Sequence, residues 1–263
     1  MAIIKTVGVN YTNSNANTFP NPNGNNTWQP WQQLTASCPI DTDEVLFFCG
    51  GQYYIGNIIY ELGIGAAGSE ISIAGPFIVG NGNNGSYNTP GLVRKLPIKI
   101  PAGQRIAARW QEDNNNGHGG PILMLINRSG NNSNRVGIVD SYGAVLTTSQ
   151  GTPVAASSTA NVKGAWVQLT ASTLRDYQGI YVDFGNSSTT NATFLFDVAV
   201  GAAGSEQIIV PDIWFGGDQV MGLNQGGPYP EFPVRIPAGN RIAVRCQSTT
   251  ASASIPICII GVS

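Results

Sequence analysis

Ile100-Pro-Ala-Gly-Gln-Arg-Ile-Ala-Ala-Arg-Trp-Gln111 returns later in the chain as Ile236-Pro-Ala-Gly-Asn-Arg-Ile-Ala-Val-Arg-Cys-Gln247. Pro-Ala-Gly-Gln/Asn is a turn: Pro pre-sets the first bend, and Gly relaxes the exit into the next segment. After the turn, Ile106, Ala108 and Trp110 alternate with Arg105, Ala107 and Arg109. A period of two marks a strand with one buried face. The segment therefore reads as turn then strand, written twice.

Two further segments recur in the same order, at an offset of 135 or 136 residues. Trp31-Gln-Gln-Leu-Thr-Ala-Ser37 returns as Trp166-Val-Gln-Leu-Thr-Ala-Ser172, and Gly65-Ala-Ala-Gly-Ser-Glu70 returns unchanged as Gly201–Glu206. Fixed-period self-similarity decides the architecture before any single motif does. The chain is expected to be two tandem domains from an internal duplication, residues 1–128 and 136–263. At the far end, Pro121–Ile126 is aligned with Pro256–Gly261, which sets Cys258 opposite Leu123.

Within each repeat the apolar residues alternate. Ile58, Tyr60, Leu62 and Ile64 share one face, and Phe194, Phe196, Val198 and Val200 share another. In the first repeat, strands are expected near 2–9, 31–36, 44–49, 53–64, 70–79, 92–100, 104–111 and 121–127. Eight short antiparallel strands with turns between them predict an all-β sandwich of jelly-roll type. An immunoglobulin-like sandwich is the alternative, but its Cys…Trp…Cys spacing is missing. The loops 10–27, 81–90 and 112–119 do not recur.

Charged residues make up 11% of the 263 positions, against roughly 25% in ordinary soluble domains. With a net charge of -2 and scattered Lys and Arg, nucleic acid and membrane surfaces are not expected partners. No stretch reaches the ~20 apolar residues of a membrane span, and the N-terminus does not read as a signal peptide. Seven Asn-x-Ser/Thr triplets reflect an Asn-rich chain. Matched Arg105/Arg241 and Arg109/Arg245 are expected to pair with matched Glu61/Asp197 or Glu70/Glu206.

Cys246 stands where the first repeat has Trp110. A residue that swaps with Trp behaves as a small core hydrophobe, so buried thiols are favoured over Cys38–Cys49 and Cys246–Cys258 disulfides. A metal site is disfavoured: there is no C-x-x-C, and His118 is the only histidine. Asp41-Thr-Asp43-Glu44 lacks the spacing of an EF-hand loop and reads as a turn.

No nucleophile elbow, Walker loop or zinc-protease motif is present, so no enzyme, catalytic residue or cofactor is expected. Sugars are held by aromatic rings stacked on their C–H face, with polar groups around them. Trp28, Tyr87, Trp214 and Tyr229 do not recur as aromatics at matched positions, which makes them the candidate ligand-binding residues.

The three recurring motifs resemble segments of structural proteins from tailed-bacteriophage particles. That resemblance implies a virion component, either a head decoration or head fibre or a tail appendage. It implies assembly in a bacterial cytoplasm, homo-oligomers, other virion proteins as partners and contact with host-surface glycans. A free lectin-like carbohydrate-binding module is the alternative.

Overall fold

The structure is a computed structural model. It describes residues 2–10, 15–16, 18–19, 25–49, 56–81, 92–113, 118–128, 137–189, 192–217 and 230–263. Among them every regular element is a β-strand.

In the first half, one sheet sets Ile3–Val7, Ile122–Asn127, Glu44–Cys49 and Leu92–Leu96 side by side in that order. The other sets Gln32–Thr35, Ile106–Glu112, Gly56–Ile64 and Ile71–Asn81. Counted along the chain, the two sheets read 1-8-3-6 and 2-7-4-5, with antiparallel neighbours throughout. This is the strand order of a jelly roll. The expected strands are all present, with ends moved by a few residues.

The second half repeats the order. Val139–Tyr142, Ser254–Val262 and Gly179–Phe184 take places 1, 8 and 3. Val167–Thr170, Ile242–Ser248, Ala192–Val200 and Gln207–Gly217 take 2, 7, 4 and 5. Among the described residues, place 6 is held by a bridge between Ile180 and Phe232.

Loop 10–27 proves partly matched. Val9 and Asn10 pair with Ala16 and Asn15, as Ala144 and Val145 pair with Gly151 and Gln150. Each excursion leaves the first strand at a glycine with positive φ, Gly8 (82°) or Gly143 (91°). A Cβ on Gly8 would stand 2.4 Å from the Pro121 carbonyl oxygen, so only glycine fits there.

The two cores are filled differently. Phe47, Tyr60, Phe77 and Trp110 are fully buried in the first, with Phe47 and Phe77 centroids 5.0 Å apart. In the second, Cys246 lies opposite Phe196 as Trp110 lies opposite Tyr60. Phe194 and Phe215 stand at the strand positions of Ile58 and Val79, restoring the aromatic volume that Trp110 supplies in the first half.

The last strand corrects the alignment by one residue. Phe47 faces Leu123, and its counterpart Val182 faces Ile259. Cys258 faces Asp183 and so takes the place of Ile122, not Leu123. A slip of one residue changes the face: Cys258 points outward from its own sandwich, toward the first half.

The halves are fused by a large contact. The outward face of the second half's sheet, with Val139, Tyr181, Cys258, Ile260 and Val262, joins the first half's apolar cluster. It lies against the edge strand Ile71–Asn81. Across the contact, the Arg94 guanidinium grips the Asp183 carboxylate, with both side chains almost wholly buried. Arg94 also donates to the Val182 carbonyl (3.1 Å) and stacks on the Tyr181 ring, while the Tyr181 hydroxyl donates to the Lys95 carbonyl (2.6 Å). Ser141 donates to the Pro76 carbonyl at 2.8 Å.

Candidate functional site

The matched charges form two kinds of cluster. Arg105 reaches Glu70 at 2.6 Å, and Arg241 reaches Glu206 at 3.1 Å. Each glutamate also accepts a backbone N–H from its own turn, Gly68 or Gly204. Each arginine also donates to a turn carbonyl, Gly65 or Gly201. Burial opposes the charge of both glutamates, yet their hydrogen bonds hold the carboxyls below their ordinary value. These pairs close the Gly-Ala-Ala-Gly-Ser-Glu turns.

The second kind adds aromatic rings. Arg109 pairs with Glu61 at 2.5 Å and lies over Trp28 (4.4 Å) and Trp31 (4.7 Å). Arg245 pairs with Asp197 at 2.9 Å and lies over Trp166 at 4.4 Å. Lys163 stands where the first half has Trp28. It bonds Asp197 (2.8 Å) and Asp212 (2.9 Å). Either an aromatic ring or an ammonium completes the same arginine–carboxylate pair. Trp28 is therefore partly buried with its ring stacked on a guanidinium.

Trp214 lies on Gln207–Gly217 and is 47% exposed, opposite Leu195 on the neighbouring strand. Ile208 on the same strand is 45% exposed. Trp28 and Trp214 belong to different halves and to separate surroundings. Tyr87 and Tyr229 lie outside the described residues.

A groove of about 550 Å³ runs along the seam, lined among others by Ser72, Gly75, Lys99, Asp140, Ser141 and Arg175. Sequence reasoning missed it, because its walls come from opposite halves. Its acidic group is already engaged: Asp140 accepts from Arg175 and from the Tyr177 hydroxyl, both at 2.6 Å. Tyr177 in turn meets the Tyr142 hydroxyl at 2.5 Å, and Tyr142 accepts the Leu174 N–H at 2.8 Å. Burial first, then the bond to Asp140, pushes the Tyr177 phenol well above its ordinary value, so it stays protonated.

The acidic run is also committed to structure. Asp41 accepts the Ala102 N–H (2.8 Å), Asp43 accepts the Arg128 N–H (3.0 Å), and Glu44 pairs with Lys95 and Arg128. Among the described residues no three metal-ligating side chains cluster. Cys38, Cys246 and Cys258 are buried free thiols. His118 lies in a two-residue strand paired with Thr18–Phe19.

Fold and sites together define an all-β protein of two closely joined jelly rolls. No family model matches the chain, and no curated protein sequence matches it. Among solved structures, one titled "Structure of PNGF-II in C2 space group" is similar at a TM-score of 0.36 and 9% identity. The match covers 98% of this chain and 65% of that one, so the chain spans about two thirds of its length. Likeness at this level carries no argument about activity.

Proposed function

We propose that the chain is a non-catalytic structural component of a bacteriophage particle surface, as a head decoration, head fibre or tail appendage. The observation that carries this reading is the welded contact between the halves. A buried Arg94–Asp183 pair set in an apolar face joins two jelly rolls into one rigid block. A block of that kind suits a building unit that must keep its shape while presenting loops. The motif resemblance adds to it, and fold alone does not. Immunogold electron microscopy of particles, with antibody against the recombinant chain, tests the proposal. Gold on capsids assigns a decoration or head fibre, and gold at tail tips assigns an appendage. Unlabelled particles overturn the reading.

Among the described residues the second reading, carbohydrate binding, rests on Trp214, because Trp28 already carries Arg109 on its ring. It expects glycan-array binding that Trp214→Ala abolishes.

A further inference from the structure

We propose that the chain associates head to tail with copies of itself. The edge strand Gln207–Gly217 of one copy packs on the outward face of the first half's 1-8-3-6 sheet in the next. This goes beyond the particle reading and does not rest on it, since a free protein with these faces would associate in the same way.

The contact between the halves supplies the template. It joins two different surfaces, the outward sheet face of the second half and the edge strand Ile71–Asn81 of the first. Because the halves share the strand order at seven of the eight places, each surface has an equivalent elsewhere in the chain that lies outside the contact.

Several residues at those equivalent places keep the apolar character of the contact, while Glu44 at the place of Gly179 and Asp212 at the place of Pro76 are each paired with cations of their own half. On the covered sheet face, Val139 is 6% exposed, and Tyr181, Cys258 and Ile260 are buried. By strand register their counterparts are Ile4, Leu46, Ile122 and Met124. All four are apolar, and Ile4 is 52% exposed. On the edge strand, Ile78 is 1% exposed beneath the second half, and its counterpart Trp214 is 47% exposed.

The charges make the stronger case. Within the chain the contact buries Arg94 against Asp183. Leu96 faces Val45 as Phe232 bridges Ile180, so Arg94 corresponds to Pro230. Asp183 corresponds to Phe48, since each faces the same place on the eighth strand. Both members of the pair are thus replaced by apolar residues, one on each uncovered surface. Had only one been replaced, joining these surfaces would strand a buried, uncompensated charge, which strongly disfavours the contact. As it is, apolar Phe48 and Pro230 stand at the two places of the ionic pair. A second copy of this chain is the occupant that supplies both halves of that match. An interface between unlike surfaces generates a ring if the rotation closes and a filament if it does not.

Size-exclusion chromatography with light scattering on the full chain tests this. Wild type is expected at a multiple of the chain mass. Ile4→Glu and Trp214→Glu each remove one surface, and each alone is expected to run as a monomer. An equimolar mixture of the two restores dimers and nothing larger, because only one intact edge can meet one intact face. Circular-dichroism melts at the wild-type temperature show that the fold is kept. If a charged variant melts early, Ile4→Ser and Trp214→Ser carry the same reading. A monomeric wild type, a single variant that leaves the mass unchanged, or a mixture that stays monomeric overturns the proposal. So does glycan capture through Trp214 by a chain that is monomeric.

Discussion

Lys163 and Trp28 occupy one place in two halves and solve one problem by different chemistry. Trp28 covers Arg109 with a ring, whereas Lys163 shares the Asp197 carboxylate with Arg245. Burial opposes the charge on Asp197, but hydrogen bonds from Lys163 and Arg245 outweigh it and hold the carboxyl below its ordinary value. The folded value lies below the unfolded one. The stabilisation is therefore present above the ordinary aspartate value, about 3.9, and is lost as pH falls through the depressed folded value. Asp197→Asn should lower stability near neutral pH by about 2–3 kcal/mol. It should also flatten the fall in melting temperature below about pH 4, read by calorimetry against wild type. The thiols give a second residue-scale test. Burial pushes Cys246 up to about 12, and burial followed by the nearby Asp183 charge raises Cys258 further. The thiolate is the reactive form. Iodoacetamide should leave both unmodified in the native protein and alkylate both after unfolding, as peptide mass mapping would show.

At the scale of elements, the matched excursions after the first strand show how glycine placement sets a path. Gly8 and Gly143 turn the strand outward and bring the chain back to pair with itself before it continues. Nothing but hydrogen fits where the Gly8 Cβ would meet the Pro121 carbonyl. Gly8→Ala should therefore cost about 1–3 kcal/mol, measured by denaturant unfolding. Gly143→Ala should act in the same direction, since its Cβ would stand 3.0 Å from the Ile257 oxygen. A loss at Gly143 alone would show that the first excursion does not need its glycine. Turn closure is matched in the same way: Asp41 accepts from Ala102 as Asp176 accepts from Ala238.

The whole molecule depends on the Arg94–Asp183 pair in a way that neither half does alone. A buried pair is weak evidence for net stability, but breaking it leaves an uncompensated charge. Arg94→Met should cost about 3–5 kcal/mol by chemical denaturation. The double change Arg94→Met with Asp183→Leu should regain most of that loss, because an apolar pair can replace a buried ionic one. The uncovered surfaces carry that apolar alternative already, in Pro230 and Phe48. With the pair intact the chain should unfold in a single cooperative transition by fluorescence and circular dichroism. Arg94→Met is where a separation into two steps should first be seen.

Period-two alternation, Pro-Ala-Gly turns and recurring motifs were enough to read the strands, because each depends on a few neighbouring residues. The pairings Arg105–Glu70 and Arg109–Glu61 were legible for a related reason: their partners recur together in both halves. Trp28 and Trp214 look alike in sequence, yet one is stacked on Arg109 and the other is open. Only packing between distant segments separates them. The place of Cys258 turned on the register of the final strand, which the shared Pro121 and Pro256 disguised. The seam groove and the buried Arg94–Asp183 pair join residues from opposite halves, so no local pattern encodes them. Sequence by itself determined which residues alternate, turn and pair within a half. Tertiary structure alone decided which of two equivalent outward faces is covered, because burial there is a property of the partner surface as much as of the strand.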